Sequence, residues 1–379
     1  MVITLVFVST SILISKQLNY VQNYNIGASM EQVVSVSGPT SFNGEDRYWL
    51  PDVPKITKFR TFKEQMLKKS DVIAGTASYD LFGKEAQVHN RPYWRTANEQ
   101  RVEVRTTNLS VDNGFIETYG LKLLAGTDFP NSLNEYQQKV ILNKTALKQL
   151  KFNSPEEAIG DIVQIGAQRQ LEIVGVVDDF HFEGLKKEIY PIVLEFNHPS
   201  EFGYYSFKLQ SANMTKTIKD IKSTWDGIYP NDPFNCFFQD EFYNQQYQAD
   251  KRFSKFNLLF TTISIIICCL GLYSMINFFI LRKTKEIGVR KVNGAKVIEV
   301  LALINKDFVI WVLFAFVIAC PVSFMVMEKW LGSFVYQTNI SWWIFAIAGF
   351  IALAISVITV SWQSWQAANR NPIEALRYE

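Results

Sequence analysis

"NLLFTTISIIICCLGLYSMINFFIL", residues 257–281, runs without a single charged side chain. As a helix this stretch rises about 37 Å, more than the roughly 30 Å hydrocarbon core of a bilayer. Each Ile, Leu, Val or Phe near the centre favours insertion by about 0.3–0.6 kcal/mol, and one charge there opposes it by about 2.5–3.5 kcal/mol. The stretch therefore reads as a membrane span. The pattern repeats outward from it. Residues 308–327 are free of charge between Asp307 and Glu328, and no charge occurs from Leu331 to Asn369. Trp342 and Trp343 open a last span at 342–364, and Trp362 and Trp365 close it, as in an aromatic belt at each interface.

The N-terminal stretch "VITLVFVSTSILIS", residues 2–15, is apolar but reaches only about 21 Å as a helix. It has no basic leading region and no small-residue cleavage site, so it reads poorly as a signal peptide. We read residues 1–16 as a first transmembrane helix clipped at its cytoplasmic end; a short anchor is the alternative. Orientation follows from the loops. Residues 282–306 carry Arg282, Lys283, Lys285, Arg290, Lys291, Lys296 and Lys306 against Glu286 and Glu299, whereas 329–341 carry only Lys329. The positive-inside rule puts 282–306 in the cytoplasm. Residues 17–253 then lie outside, and both termini inside. The expected fold is a membrane protein of four transmembrane α-helices, the first short, with a large α+β extracytoplasmic domain between helices 1 and 2. A permease-type membrane domain covers 254–379, with spans at about 257–281, 308–327 and 342–364.

Composition narrows the function. Lys and Arg number 38 and Asp and Glu 36, a balance unlike that of a nucleic-acid binder. The mean hydropathy of +0.02 averages an apolar final third with a polar middle. Four cysteines offer no CxxC and no disulfide framework, and three histidines make a His-rich metal site unattractive. In the outer region "EQVVSVSG" (31–38), "QRVEVRTTN" (100–108) and "QLEIVGVV" (170–177) read as strands, and 57–69 and 213–228 as amphipathic helices. Ser154, Pro155 and Glu157 form a capping-box start. Two subdomains are expected. "DDFHFEG" brings Asp178, Asp179, His181 and Glu183 together, but neighbours on an extended chain point to opposite faces, so they form a weak metal site. The chain contains neither GxSxG nor a G-x-x-x-x-G-K-[ST] P-loop. We assign no catalytic, cofactor-binding or metal residues, and expect any ATPase activity to reside in another subunit.

The ordered segments resemble those of FtsX/MacB-like permeases of ABC transporters. "KTKEIGVRKVNGA" (283–295) resembles the family's cytoplasmic segment between its second and third helices, and "NPIEALRYE" (371–379) its C-terminal signature. "VDNGFIETYGLKLLAGTDF", "VILNKTALKQL" and "EIVGVVDDFHFEGL" follow the order of the MacB-like periplasmic core domain. The chain resembles the second half of a long two-half permease, beginning inside its first helix. The resemblance implies a non-enzymatic subunit of the bacterial inner membrane. It implies an ABC ATPase partner like that of MacB or LolD, a second permease half or homodimer, and a periplasmic adaptor. It implies that Glu286, Ile287, Gly288, Arg290, Lys291, Val292 and Gly294 form the ATPase-coupling surface. The competing expectation is a membrane-anchored extracytoplasmic sensor; against it, only a short polar tail follows the last span.

Overall fold

The computed structural model describes residues 1–39, 53–97, 100–131, 138–166, 169–197, 203–210, 213–292, 294–295 and 297–368. They fall into two compact units, 1–24 with 248–379 and 25–247. The chain order is α1 (Val2–Asn23), β1 (Val33–Ser37), α2 (Val53–Leu67), β2 (Val72–Ser78), β3 (Val88–Ala97), β4 (Gln100–Val111), α3 (Phe115–Tyr119), β5 (Leu123–Gly126), β6 (Lys139–Asn143) and α4 (Lys144–Gln149). Then come α5 (Pro155–Ala158), β7 (Ile162–Ile165), β8 (Arg169–Val177), β9 (Ile192–Phe196), β10 (Tyr204–Leu209), α6 (Met214–Ile228), β11 (Cys236–Phe238) and α7 (Gln239–Gln245). Three long helices finish the chain: α8 (Gln248–Val292), α9 (Val297–Leu331) and α10 (Trp342–Ala368).

In the first unit α1, α8, α9 and α10 are each long and apolar enough to cross a membrane. Apolar contacts between helices gain little when the surrounding solvent is lipid, so polar pairs and close packing must supply the specificity. Helix α1 is attached in this way. Thr4 Oγ1 lies 2.9 Å from Ser264 Oγ, Ser11 Oγ lies 3.1 Å from Thr261 Oγ1, and Asn257 Nδ2 donates to Ser11 Oγ at 2.9 Å. Thr261 Oγ1 also donates to the carbonyl of Phe7 at 3.1 Å, and Ser9 Oγ to Ser323 Oγ of α9 at 2.8 Å. Between α9 and α10 the device is a small residue: a Cβ on Gly349 would meet the Phe316 ring at 2.6 Å.

Helix α1 is longer than its apolar run. Its 22 residues rise about 33 Å, and it carries Lys16 and Gln17 within it. The reason is local. Gln17 is fully buried, donates to the Tyr336 carbonyl at 3.0 Å and accepts from Thr338 N at 2.8 Å. Lys16 donates to the Asn339 carbonyl at 3.1 Å. A polar pair that breaks the apolar reading is thus satisfied by the loop between α9 and α10.

Among the described residues, two apolar clusters pack against the sheet of the outer unit. One lies under β11-β1-β10-β2, an antiparallel set covered by α2 and α6, where Phe59, Phe62, Tyr205, Phe207 and Trp225 pack together. The opposite face carries a buried polar row. Ser35 and Ser206 face each other at 2.8 Å, and Tyr119 of α3 donates to Ser206 at 3.0 Å. The second core is enclosed by a closed ring of strands, β4-β3-β7-β8-β6-β9, with β9 returning parallel to β4. Val140, Leu142, Leu171, Ile173 and Val193 fill it. Closure removes the free edges that invite aggregation. Ser154 caps α5 as expected, but the Glu157 carboxylate reaches back to Asn153 N at 2.8 Å, one residue before the cap.

The ring also buries a charge. Glu195 of β9 is fully buried, accepts from Asn108 Nδ2 at 2.6 Å and from Tyr93 Oη at 3.3 Å, and pairs with Arg91 and Arg169. Removing one side of a fully buried pair costs about 3–5 kcal/mol; here Arg91 and Arg169 are about a third exposed and regain water, so the loss falls mainly on the buried Tyr93 and Asn108 and is smaller. Glu195→Ala is expected to lower the thermal melting point of the outer unit, with Glu195→Gln falling between it and the wild type. Circular dichroism melts of the detergent-solubilised chain measure this, and an Ala variant that melts with the wild type removes the claim. In the bundle, Ser11→Cys with Thr261→Cys is expected to form a disulfide on mild oxidation, which a gel shift after proteolytic cleavage within residues 25–247 detects.

Candidate coupling segment

The basic segment 282–306 is a helix, a turn and a helix. Helix α8 continues past Leu281, so the residues from Arg282 to Val292 extend the span as the same helix. Within it Arg290 donates to Glu286 Oε1 at 2.9 Å, and Lys283 Nζ lies 3.8 Å from Glu286 Oε2. The one acid of the extension is thus held between two cations at i−3 and i+4, each such exposed pair worth only tenths of a kcal/mol. The guanidinium of Arg282 sits 4.9 Å from the Phe278 ring centre and the Lys283 ammonium 4.9 Å from Phe279. Both cationic heads thus lie over aromatic rings of the turn before them.

Helix α8 ends by a glycine cap. Gly294 has φ +90°, a conformation that side chains with a Cβ avoid, and Ala295 N donates to the Arg290 carbonyl at 3.0 Å. That six-to-one bond, with glycine one residue before its donor, is the Schellman arrangement. Helix α9 begins at Val297 with Glu299 in its first turn, where the helix dipole favours an acid. The side chains of Ile287, Lys291 and Val292, and Gly288 with them, lie outside the described residues. The sequence reading missed two residues that the fold leaves bare beside the turn, Val289 and Ile298. Their alternation with charges gave no period that singled them out.

The acidic motif of the outer unit has another purpose. Asp179 accepts from Thr145 N and Thr145 Oγ1, both at 2.9 Å, and so fastens the start of α4. His181 is buried, and its backbone N–H donates to the Ile26 carbonyl at 2.8 Å. Glu183 is buried too. It accepts from Ala86 N at 2.9 Å, lies 3.1 Å from His89 Nε2 and 2.6 Å from the Lys187 ammonium. Glu85 completes the group at 2.8 Å from the same ammonium. Donor atoms of Glu85, His89 and Glu183 lie within 4.8 Å of one another, a juxtaposition the sequence did not show. Lys187 already supplies the positive charge for both carboxylates, so the group is a closed ion network that ties the 80s loop to the loop after β8.

Two families match successive parts of the chain. Residues 1–190 match the family described as MacB-like periplasmic core domain, and residues 258–372 match the FtsX-like permease C-terminal family. The chain belongs to the MacB/FtsX family of ABC transporter permeases. It is 24% identical to the ABC transporter permease YknZ of Bacillus subtilis over 375 residues, 93% of this chain and 90% of that one. It is 23% identical to the macrolide export ATP-binding/permease protein MacB of Chromobacterium violaceum over 304 residues, 75% of this chain. The chain spans about half the length of that MacB protein, the match covering 46% of it. Among solved structures, the periplasmic region of MacB from Actinobacillus actinomycetemcomitans is 14% identical, with a TM-score of 0.38, covering 59% of this chain and 96% of that one. The extracellular domain of YknZ is 13% identical, with a TM-score of 0.35, covering 54% and 99%. The permease thus has the four apolar helices and the inserted outer domain that the sequence indicated.

Burial pushes the His181 imidazole down to about 4, with nearby Asp179 opposing the shift. The folded chain therefore keeps His181 neutral where the unfolded chain, with its ordinary value near 6.5, takes up a proton. Stability from this group is unchanged above pH 6.5 and is lost as pH falls from 6.5 toward 4. His181→Gln is expected to lose less stability than the wild type between pH 7 and pH 5 in urea melts. Equal losses would show that other groups carry the acid sensitivity.

Proposed function

We propose that this permease converts ATP hydrolysis by a separate ABC ATPase into movement of its extracytoplasmic domain, for export, lipoprotein extraction or mechanical signalling. The observation that carries the reading is the continuity of α8. It begins one residue after the outer unit ends and runs 45 residues, about 67 Å, through the span and into the basic extension. An element of that kind carries displacement without a soft joint. Residues Glu286, Ile287, Gly288, Arg290, Lys291, Val292 and Gly294 form the coupling surface in this reading. In this reading the ATPase is a MacB- or LolD-like subunit, as the family resemblance implies. A second permease half, or a second copy of this chain, completes the transporter. A periplasmic adaptor extends it outward.

The same reading sets the chain in the inner membrane with both termini cytoplasmic. Seven cations in 282–306 against one in 329–341 support that orientation. Cysteine labelling in intact cells tests it: a probe that cannot cross the membrane is expected to modify position 100 and to leave position 296 unmodified. The reverse pattern sinks the orientation.

Coupling is tested by substitution. Ile287→Asp removes an apolar contact worth about 1.5–3 kcal/mol if buried in a groove. Gly294→Pro cannot adopt the φ of +90° and destroys the cap. Glu286→Lys leaves three cations crowded on one helix face. Each is expected to reduce ATPase association and stimulated ATP hydrolysis at least about tenfold while insertion stays intact. Lys283→Gln and Lys296→Gln each remove one of the seven cations of 282–306, a surface-charge change of about 0–1 kcal/mol, and are expected to change little. Full coupling in all three severe variants, with normal insertion, leaves the segment as a topological loop.

A further inference from the structure

The motif "DDFHFEGLKK", residues 178–187, leads out of β8, a strand of the closed ring. It meets both ends of the outer unit, which begins at Asn25 and finishes at Tyr247. On the entry side the His181 N–H donates to the Ile26 carbonyl at 2.8 Å. Gly27 approaches so closely that a Cβ on it would stand 2.5 Å from the Asp179 carbonyl oxygen. On the exit side the Leu185 N–H donates to Tyr247 Oη at 2.9 Å. Gly184 has φ +102°, and a Cβ there would run into the Gln246 side chain. His181, Leu185 and Tyr247 are all buried. Entry and exit are thus gripped four residues apart on one loop. Between the two bonds the Phe182 ring packs on Phe82 at 4.9 Å, and the Phe182 carbonyl accepts from Gly83 N at 2.8 Å.

The sheet is narrow where its two parts meet. Strand β2 pairs with β4 of the ring at one position, Ser78 with Val111. Two backbone bonds flank that pair, Tyr79 N to the Ser110 carbonyl at 3.0 Å and Asp112 N to the Ala77 carbonyl at 2.8 Å. By contrast β10 pairs with β2 over its whole length, Tyr204–Leu209. Cross-strand pairs are the unit of sheet stabilisation, so this short join resists twisting far less than its neighbours do.

We propose that the loop after β8 is a clasp: residues 181–185 hold the ring against the entry and exit of the outer unit, and when the clasp opens the ring turns about the Ser78–Val111 pairing. The two bonds lie on one short buried stretch with Phe182 anchored between them. Such a stretch opens as a unit rather than bond by bond. Either connection to the bundle can therefore release the ring. The inference goes beyond the proposed coupling, and its test needs neither nucleotide nor ATPase.

Hydrogen exchange read at single residues, on the full chain in detergent, tests the clasp. Tyr247→Phe keeps the aromatic ring and removes the acceptor of the Leu185 N–H. Gly27→Ala disturbs the entry side instead; Asn25→Ala, which removes the acceptor of the Gly27 N–H, takes its place if that variant does not fold. The expected result is reciprocal. Tyr247→Phe speeds exchange at His181 as well as at Leu185, and the entry-side variant does the same, each about tenfold, as loss of one buried hydrogen bond in a shared opening gives. Exchange at Leu171 and Ile173, in the core of the ring, stays at its wild-type rate. Faster exchange only on the side of the substitution overturns the clasp, and so does no change at either amide. Faster exchange at Leu171 and Ile173 as well means that the ring unravels instead of turning, and also overturns it. Spin labels at Arg101 of β4 and Lys222 of α6, both with more than half of the side chain exposed, read the turning itself. Their distance distribution is expected to broaden in both variants. Wild-type distributions beside faster exchange at both amides would remove the hinge.

Discussion

A hydroxyl or amide inside a lipid-embedded bundle has no water to turn to, and this constraint decides how the four helices fit. Thr4, Ser11, Asn257, Thr261 and Ser264 answer one another across α1 and α8, and each misplacement by a turn would strand several of them. Apolar packing alone tolerates many registers, because lipid solvates Leu and Ile as well as a neighbouring helix does. Each interhelical bond is worth only about 0.6 kcal/mol on average, yet several in one row select one register. Helices α1 and α8 are also the two connections to residues 25–247. Fixing them against each other fixes, within the first unit, the two helices through which the chain leaves for residues 25–247 and returns.

The sequence made the spans legible because charge-free runs of 20 residues or more have one physical explanation. It made Ser154 legible because a cap leaves its mark within four residues. It did not reveal that α1 continues through Lys16 and Gln17, since the groups that satisfy them, Tyr336, Thr338 and Asn339, lie more than 300 positions away. Non-local pairing also hid the closed ring. Strand β9 pairs with β4 and β6, and no local pattern tells a strand which neighbours it will meet. Glu195 sharpens the point. In sequence it is an acid in "PIVLEF", an oddity within an apolar strand; only the ring brings Arg91, Asn108 and Arg169 around it.

In the coupling segment the sequence identified the composition and the fold supplied the form. Glu286 reads as an unexplained acid in a basic run, and its contacts with Lys283 and Arg290 give it an intrahelical reason to be there. Those pairs do not prevent a partner from using its exposed face, but they lower the weight that its charge alone can bear. Gly294 was legible as a turn residue because few other residues adopt its backbone conformation. Val289 and Ile298 were not, since a lone aliphatic residue between charges gives no period to read; only exposure on the folded chain distinguishes a knob from a core contact.

The contrast between α8 and α9 bears on how motion would pass along the proposed path. Helix α9 carries Pro321 within its apolar run, where the missing N–H and the ring make a natural place to bend. Helix α8 has no proline in its 45 residues, and its one glycine within the charge-free run, Gly271, has open space where a Cβ would stand. Nothing in that neighbourhood requires a glycine by close approach. Under the proposed coupling, displacement at the Gly294 turn would pass along α8, the helix without a proline, while α9 offers Pro321 as a place to bend.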